Sequence, residues 1–120
     1  MEYAVANPIQ RLQDAQRQFA AERDWEQFHS PKNLAAALSV EAAELLEIFQ
    51  WLSEEQSRVL TPKQMGAARE EIADVFLYLL RISDRLGIDL VAAADEKLAR
   101  NAEKYPVDRA RGNIAKYTEL

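Results

Sequence analysis

Cysteine is absent from the 120 residues, which excludes disulfides, thiolate nucleophiles and cysteine-based zinc sites together. Histidine occurs once, as His29; a di-iron carboxylate bundle needs two Glu-x-x-His motifs, and only Glu26 and His29 have that spacing. Glycine (3) and proline (4) are scarce and stand where helices start or stop. No segment shows the apolar–polar alternation of a half-buried strand, and there is neither a repeat nor a low-complexity stretch. Long apolar runs are missing too: Val75 to Leu80 is far too short to span a bilayer. Basic residues are in deficit, 15 Lys and Arg against 20 Asp and Glu for a net charge of −5, which argues against a nucleic-acid duplex as partner. The opening MEYAVANPIQ has no basic n-region and no apolar h-region, so a signal peptide is not expected and a cytoplasmic location is.

What is present is the composition of an ordinary globular protein, 48% hydrophobic and 29% charged, with enough chain for one domain spanning residues 1–120. The fold class it indicates is all-α, a bundle of four to five helices. Asn7-Pro8 supplies an N-cap and a proline at the first helical position, opening a helix to about Arg23. Residues 24–33, DWEQFHSPKN, read as a loop carrying two aromatics. A second helix is predicted from Leu34 to Leu52, and Ser53 caps a short segment through Leu60. Thr61-Pro62-Lys63-Gln64 matches a capping box and starts a long helix that stops at Gly87. Asp89 caps another, running to about Lys104, and the tail 107–120 is polar and basic without a clear period. Around VFLYLL the long helix is apolar on nearly every side, so it needs covering all round, which an oligomeric bundle would provide.

Two acid pairs stand out against this background. Glu41 with Glu44, and Glu71 with Asp74, are each three residues apart and therefore share a helix face, with Cβ atoms roughly 5–6 Å apart. At 100° per residue Glu41 falls among Leu34, Leu38, Leu45, Ile48 and Leu52, and Glu71 among Val75, Tyr78, Ile82 and Leu86. A carboxylate within an apolar stripe must be protonated, paired or bound to a cation. Oxygen-only ligands favour a hard ion, Mg²⁺ or alternatively Mn²⁺, over zinc or copper. Such ions suit hydrolysis at phosphorus without a Ser, Cys or His nucleophile. Glu47 and Glu70 turn away from these stripes and read as solvated. Lys97, Asn101 and Lys104 recur at i, i+4, i+7 on the next helix and form a polar, partly cationic face suited to phosphate oxygens. Trp25, Phe28 and Trp51 are aromatics able to stack on a nucleobase.

These residues also carry a resemblance. EAAELLEIFQW followed by EEIADVFLYLL resembles the E-x-x-E … E-x-x-D signature of the MazG-like all-α nucleoside triphosphate pyrophosphohydrolases. FAAERDWEQFHSPKNL, KLARNAEKYP and RGNIAKYTEL resemble, more narrowly, the dCTP pyrophosphatase branch. The resemblance implies Mg²⁺-dependent hydrolysis of a (deoxy)nucleoside triphosphate, dCTP or a modified dCTP, to monophosphate and pyrophosphate in nucleotide-pool house-cleaning. It implies Glu41, Glu44, Glu71 and Asp74 as metal ligands and catalytic groups. Tyr78, Lys97 and Asn101 then hold phosphates and sugar, and Trp25 and Trp51 line the base pocket. It further implies a homotetramer built as a dimer of dimers, with the tail 107–120 closing over the site. Two positions depart from the branch: Val40 stands where it often has Gly, and Gln16 where a base-facing His is expected. The same reaction on dUTP or a damaged purine nucleotide, and a non-catalytic nucleotide- or partner-binding bundle, remain as alternatives.

Overall fold

The computed structural model describes residues 7–120, so the first six residues of the segment read for a leader lie outside it. The first five helices each begin with a capping side chain that the sequence carries. Helix α1, Pro8–Glu22, is capped by Asn7, whose Oδ1 accepts from the Ile9 N–H at 2.9 Å. Helix α2, Pro31–Phe49, is capped by Ser30, whose Oγ accepts from the Asn33 N–H at 3.1 Å. Helix α3, Glu54–Arg58, and helix α4, Pro62–Leu86, both open with complete capping boxes, Ser53 with Gln56 and Thr61 with Gln64. Gly87 ends α4 in the left-handed region at φ 69°, where a residue with a Cβ is disfavoured. Helix α5, Leu90–Lys104, is capped by Asp89, and a one-turn helix α6 follows at Val107–Ala110.

Three helix boundaries differ from the sequence reading, and the tail holds elements it did not predict. Helix α2 begins at Pro31, not Leu34, because Ser30-Pro31 is an N-cap followed by a residue with no N–H to satisfy. The expected loop 24–33 accordingly shrinks, and a 3₁₀ turn at Glu26–Phe28 occupies part of it. Helix α2 also ends at Phe49 rather than Leu52, so Trp51 sits in the following turn. Helix α3 stops at Arg58 rather than at Leu60, and the supposedly aperiodic tail contains α6 and a 3₁₀ turn at Tyr117–Glu119. With α6 there are six α-helices among the described residues, one more than the upper expectation. No described residue is in a strand, and no described helix is long and apolar enough to cross a membrane.

The chain divides into two compact units, the first ending at Gly87 and the second comprising Ile88–Leu120. In the first, α2 and α4 are the main packed pair, and α1 lies against α4. Its fully enclosed core is small: Ala20, Leu34, Ala68 and Leu80. Two glutamines of α1 tie it to α4, Gln13 donating to the Leu80 carbonyl at 3.1 Å and Gln16 to the Leu77 carbonyl at 2.8 Å. In the second unit, Tyr105 meets Tyr117 edge-on at 6.0 Å, and the Lys104 ammonium lies 4.9 Å from the Tyr117 ring. That cation–π contact holds the end of the chain back toward α5.

Candidate functional site

Because α2 and α4 pack together, the acids of one helix meet those of the other. Oxygens of Glu41, Glu44 and Glu71 all lie within 4.8 Å of one another. All three side chains are half-buried, and Oε2 of Glu41 and of Glu71 is buried without a hydrogen-bond partner. The crowding shows in their acidity. Glu41 is pushed up to about 7, first by its hydrogen bond with Glu44, then by burial and by the charges of its acidic neighbours. Glu71 is raised chiefly by burial, and the charges of Glu44 and Asp74 add to this. Asp74, one turn along α4 from Glu71, is half-buried and contributes its charge, although it is not one of the three clustered groups. Glu47 and Glu70 are exposed, as their helical phase requires.

Asp74 also lines a cavity of about 420 Å³ between α1 and α4. Phe19, Trp25 and Tyr78 give it aromatic walls, and Gln16, His29 and Arg81 bring polar groups to it. Trp25 is the hinge of this wall, edge-on to Phe19 at 5.7 Å and to His29 at 6.3 Å. The Gln16 amide nitrogen is engaged with Leu77, which leaves Oε1 buried and unpartnered.

Behind the cavity lies a charge network that the sequence reading did not anticipate. Arg81 is only 3% exposed; its Nε donates to His29 Nδ1 at 3.0 Å, and its Nη1 lies 3.5 Å from Asp84. Arg17 of α1 forms a two-pronged pair with the same Asp84. Arg85 Nε donates to the His29 carbonyl at 3.1 Å. The Arg17 hydrogen bond holds the Asp84 carboxyl below its ordinary value, while burial and then the charges of Arg81 and Arg85 lower His29. Burial and the neighbouring cations thus disfavour a charge on the His29 ring. A helical signal for Arg81 was present: Asp74, Tyr78 and Arg81 follow i, i+4, i+7 spacing and share a face.

Trp51 is 87% exposed and does not line the cavity. On α5, Lys97 is exposed and Asn101 half-buried. The structure thus gathers Glu41, Glu44 and Glu71 in one cluster, and Asp74, Tyr78 and Trp25 around the adjoining cavity.

Comparison with known proteins bears on this arrangement. A family model described as MazG-like matches residues 36–120. The chain is 44% identical over 119 residues to dCTP pyrophosphatase 1 of Rattus norvegicus, covering 95% of this chain and 70% of that protein. To the Homo sapiens dCTP pyrophosphatase 1 it is 42% identical with the same coverage. The crystal structure of a pyrophosphatase from Archaeoglobus fulgidus is similar at a TM-score of 0.80 and 39% identity, covering 88% of this chain and 99% of that one.

Proposed function

Since this chain belongs to the MazG-like family, we propose that it is a nucleoside triphosphate pyrophosphohydrolase acting on dCTP or a modified dCTP. Water attacks the α-phosphorus, a new P–O bond forms as the α–β bridge breaks, and the products are the nucleoside monophosphate and pyrophosphate. Relatives named dCTP pyrophosphatase support the substrate. The observation that carries the chemistry is the three-carboxylate cluster, with two buried oxygens unpartnered, beside an aromatic-walled cavity.

The donor set fits a hard divalent cation. Three half-buried carboxylates within 4.8 Å of one another repel, and the orphaned Oε2 atoms of Glu41 and Glu71 lack the partner that buried polar atoms require. Glu41, Glu44 and Glu71, with Asp74 one turn away, would hold Mg²⁺, or Mn²⁺ in its place. When bound, such an ion supplies Lewis-acid charge that acidifies water and offsets phosphate charge. The protein's own residues do the rest. Asp74 stands at the junction of acid cluster and cavity, which sets the reacting phosphate beside the base-binding region. Trp25 presents a flat face to a nucleobase, and Tyr78, which lines the same cavity, is a hydroxyl donor for sugar and phosphate. The resemblance assigns Lys97 and Asn101, a cation and a neutral donor, to phosphates and sugar, and exposed Trp51 to the base pocket.

The assembly belongs to the same reading: a dimer of dimers in which α4 of one copy covers apolar surface on another, in a cytoplasmic enzyme formed by residues 1–120 as one domain. The test is a panel of nucleotides supplied with Mg²⁺, scored for pyrophosphate against orthophosphate. Pyrophosphate and dCMP from dCTP are expected. Orthophosphate as first product, or no turnover of any triphosphate, rejects the assignment, and a preference for dUTP or a purine nucleotide corrects the base.

A further inference from the structure

Trp25 stands in the connection between α1 and α2, and its ring is gripped from both ends of that connection. Phe19 of α1 meets it edge-on at 5.7 Å, and His29, the residue before the Ser30 cap of α2, meets it edge-on at 6.3 Å. Between them Asp24 adopts the left-handed region at φ 55°, a conformation that persists where the surroundings impose it. Apolar packing alone does not impose it: of α1 only Gln13 and Ala20 are buried.

Both ends are tied instead to one carboxylate. Asp84, whose side chain is 10% exposed, accepts from Arg17 Nε at 2.8 Å on one oxygen and from Arg17 Nη2 on the other. The oxygen that takes Nε also lies 3.5 Å from Arg81 Nη1. Arg81 Nε in turn donates to His29 Nδ1 at 3.0 Å. A two-pronged arginine–carboxylate pair fixes orientation as well as distance, and the buried Arg81 cation needs Asp84 as its counter-charge.

We infer that Asp84 is a positioning residue for the nucleotide site: its two arms, Arg17 on α1 and Arg81 with His29 ahead of α2, clamp the connection between these helices and fix Trp25 as a wall of the cavity. This rests on the nucleotide reading above. Neither Asp84 nor Arg17 lines the aromatic-walled cavity, so both act on a nucleotide only through the ring they hold. A wall set before the nucleotide arrives spares the ordering cost of binding. Stacking is made alike with substrate and transition state, so loosening it raises KM and leaves kcat in place.

The experiment begins with the full chain carrying Trp51→Phe, which leaves Trp25 as the only tryptophan. Its near-ultraviolet circular dichroism band reports how rigidly that ring is held, with no nucleotide and no turnover. Arg17→Met, at an exposed position, is expected to weaken the band, and Asp84→Asn, which cuts both arms, to weaken it further. Should Asp84→Asn fail to fold, Arg17→Met carries the test alone. With Trp51 in place, Arg17→Met is expected to raise KM for dCTP about fivefold or more, the lower end of what a stacked base is worth. The same variant should change kcat by less than about twofold. In a Trp25→Ala background Arg17→Met is expected to add nothing, because residues that act through one another are not additive. Thr61→Ala, which removes the cap at the opposite end of α4, lowers stability without touching the clamp and is expected to leave band and KM unchanged. An unchanged band or KM in Arg17→Met, equal effects from Thr61→Ala, or additive losses with Trp25→Ala overturns the inference. If the parent chain hydrolyses no triphosphate and the band still weakens as expected, the pyrophosphohydrolase reading alone is rejected and the clamp on Trp25 stands.

Discussion

Glu41 shows how much a single side chain in this protein depends on its neighbours. Its carboxyl, raised from the ordinary 4.5 to about 7 by Glu44, burial and Glu71, binds its proton more tightly in the folded chain than in the unfolded one. Its contribution to stability is therefore complete below about 4.5 and is lost as pH rises through about 7. Melting curves of metal-free protein should show this decline across that window, and Glu41→Gln should flatten it. At the upper end of the window Mg²⁺ should restore the melting temperature, by about 2.7 kcal/mol of stability at a hundred times its dissociation constant. Glu71 joins the α2 acids from across the helix pair. Glu71→Gln should lower kcat/KM at least about a hundredfold with an unchanged far-ultraviolet circular dichroism spectrum; retained turnover would remove it from the site. Periodicity made the four acids legible, because helical phase alone separates them from Glu47 and Glu70. It did not reveal which oxygens converge, nor that Asp74 stands apart from the tight three-residue cluster while lining the cavity.

At the scale of elements, the helix ends carry most of the local information. Thr61, Ser53, Asp89 and Gly87 do what their side chains or lack of one dictate. Ser30 is the instructive failure. Set between two aromatics and a proline, it reads as part of a loop, yet it caps α2, and the Asn33 amide that follows donates to the Phe28 carbonyl at 3.0 Å. Proline is a breaker inside a helix and a starter at its first position, and only the direction of the chain beyond it distinguishes the two. Removing the cap with Ser30→Ala should cost about 1 kcal/mol, read as a lower denaturation midpoint with an unchanged slope. Gly87→Ala should cost about 1 kcal/mol as well, since no atom lies within 4 Å of the added Cβ and only the left-handed backbone penalises it. The turn that closes α2 at Phe49 has a consequence for Trp51, which leaves the helix and is almost fully exposed.

For the whole molecule, the decisive fact is how little of one chain is enclosed. Met65, Ile72, Phe76 and Leu79 of α4 lie on one stripe and are all exposed, Ile72 by 55%. An apolar stripe on the central helix of a packed pair is the surface that a second copy would cover. Sedimentation should show an oligomer, and Ile72→Glu should shift it toward monomer; a wild-type monomer at micromolar concentration would overturn the proposed assembly. The all-α class, the starts of α1, α3, α4 and α5, the acid pattern and the MazG-like resemblance were determined by sequence alone, because cap chemistry and helical phase are local and act within a few residues. The meeting of Glu41 with Glu71, the burial of Arg81 against His29, and the orientation of Gln16 by Leu77 were decided only by tertiary structure. Each joins residues at least thirty positions apart in the chain. No local rule encodes such a distance, and packing between helices sets it.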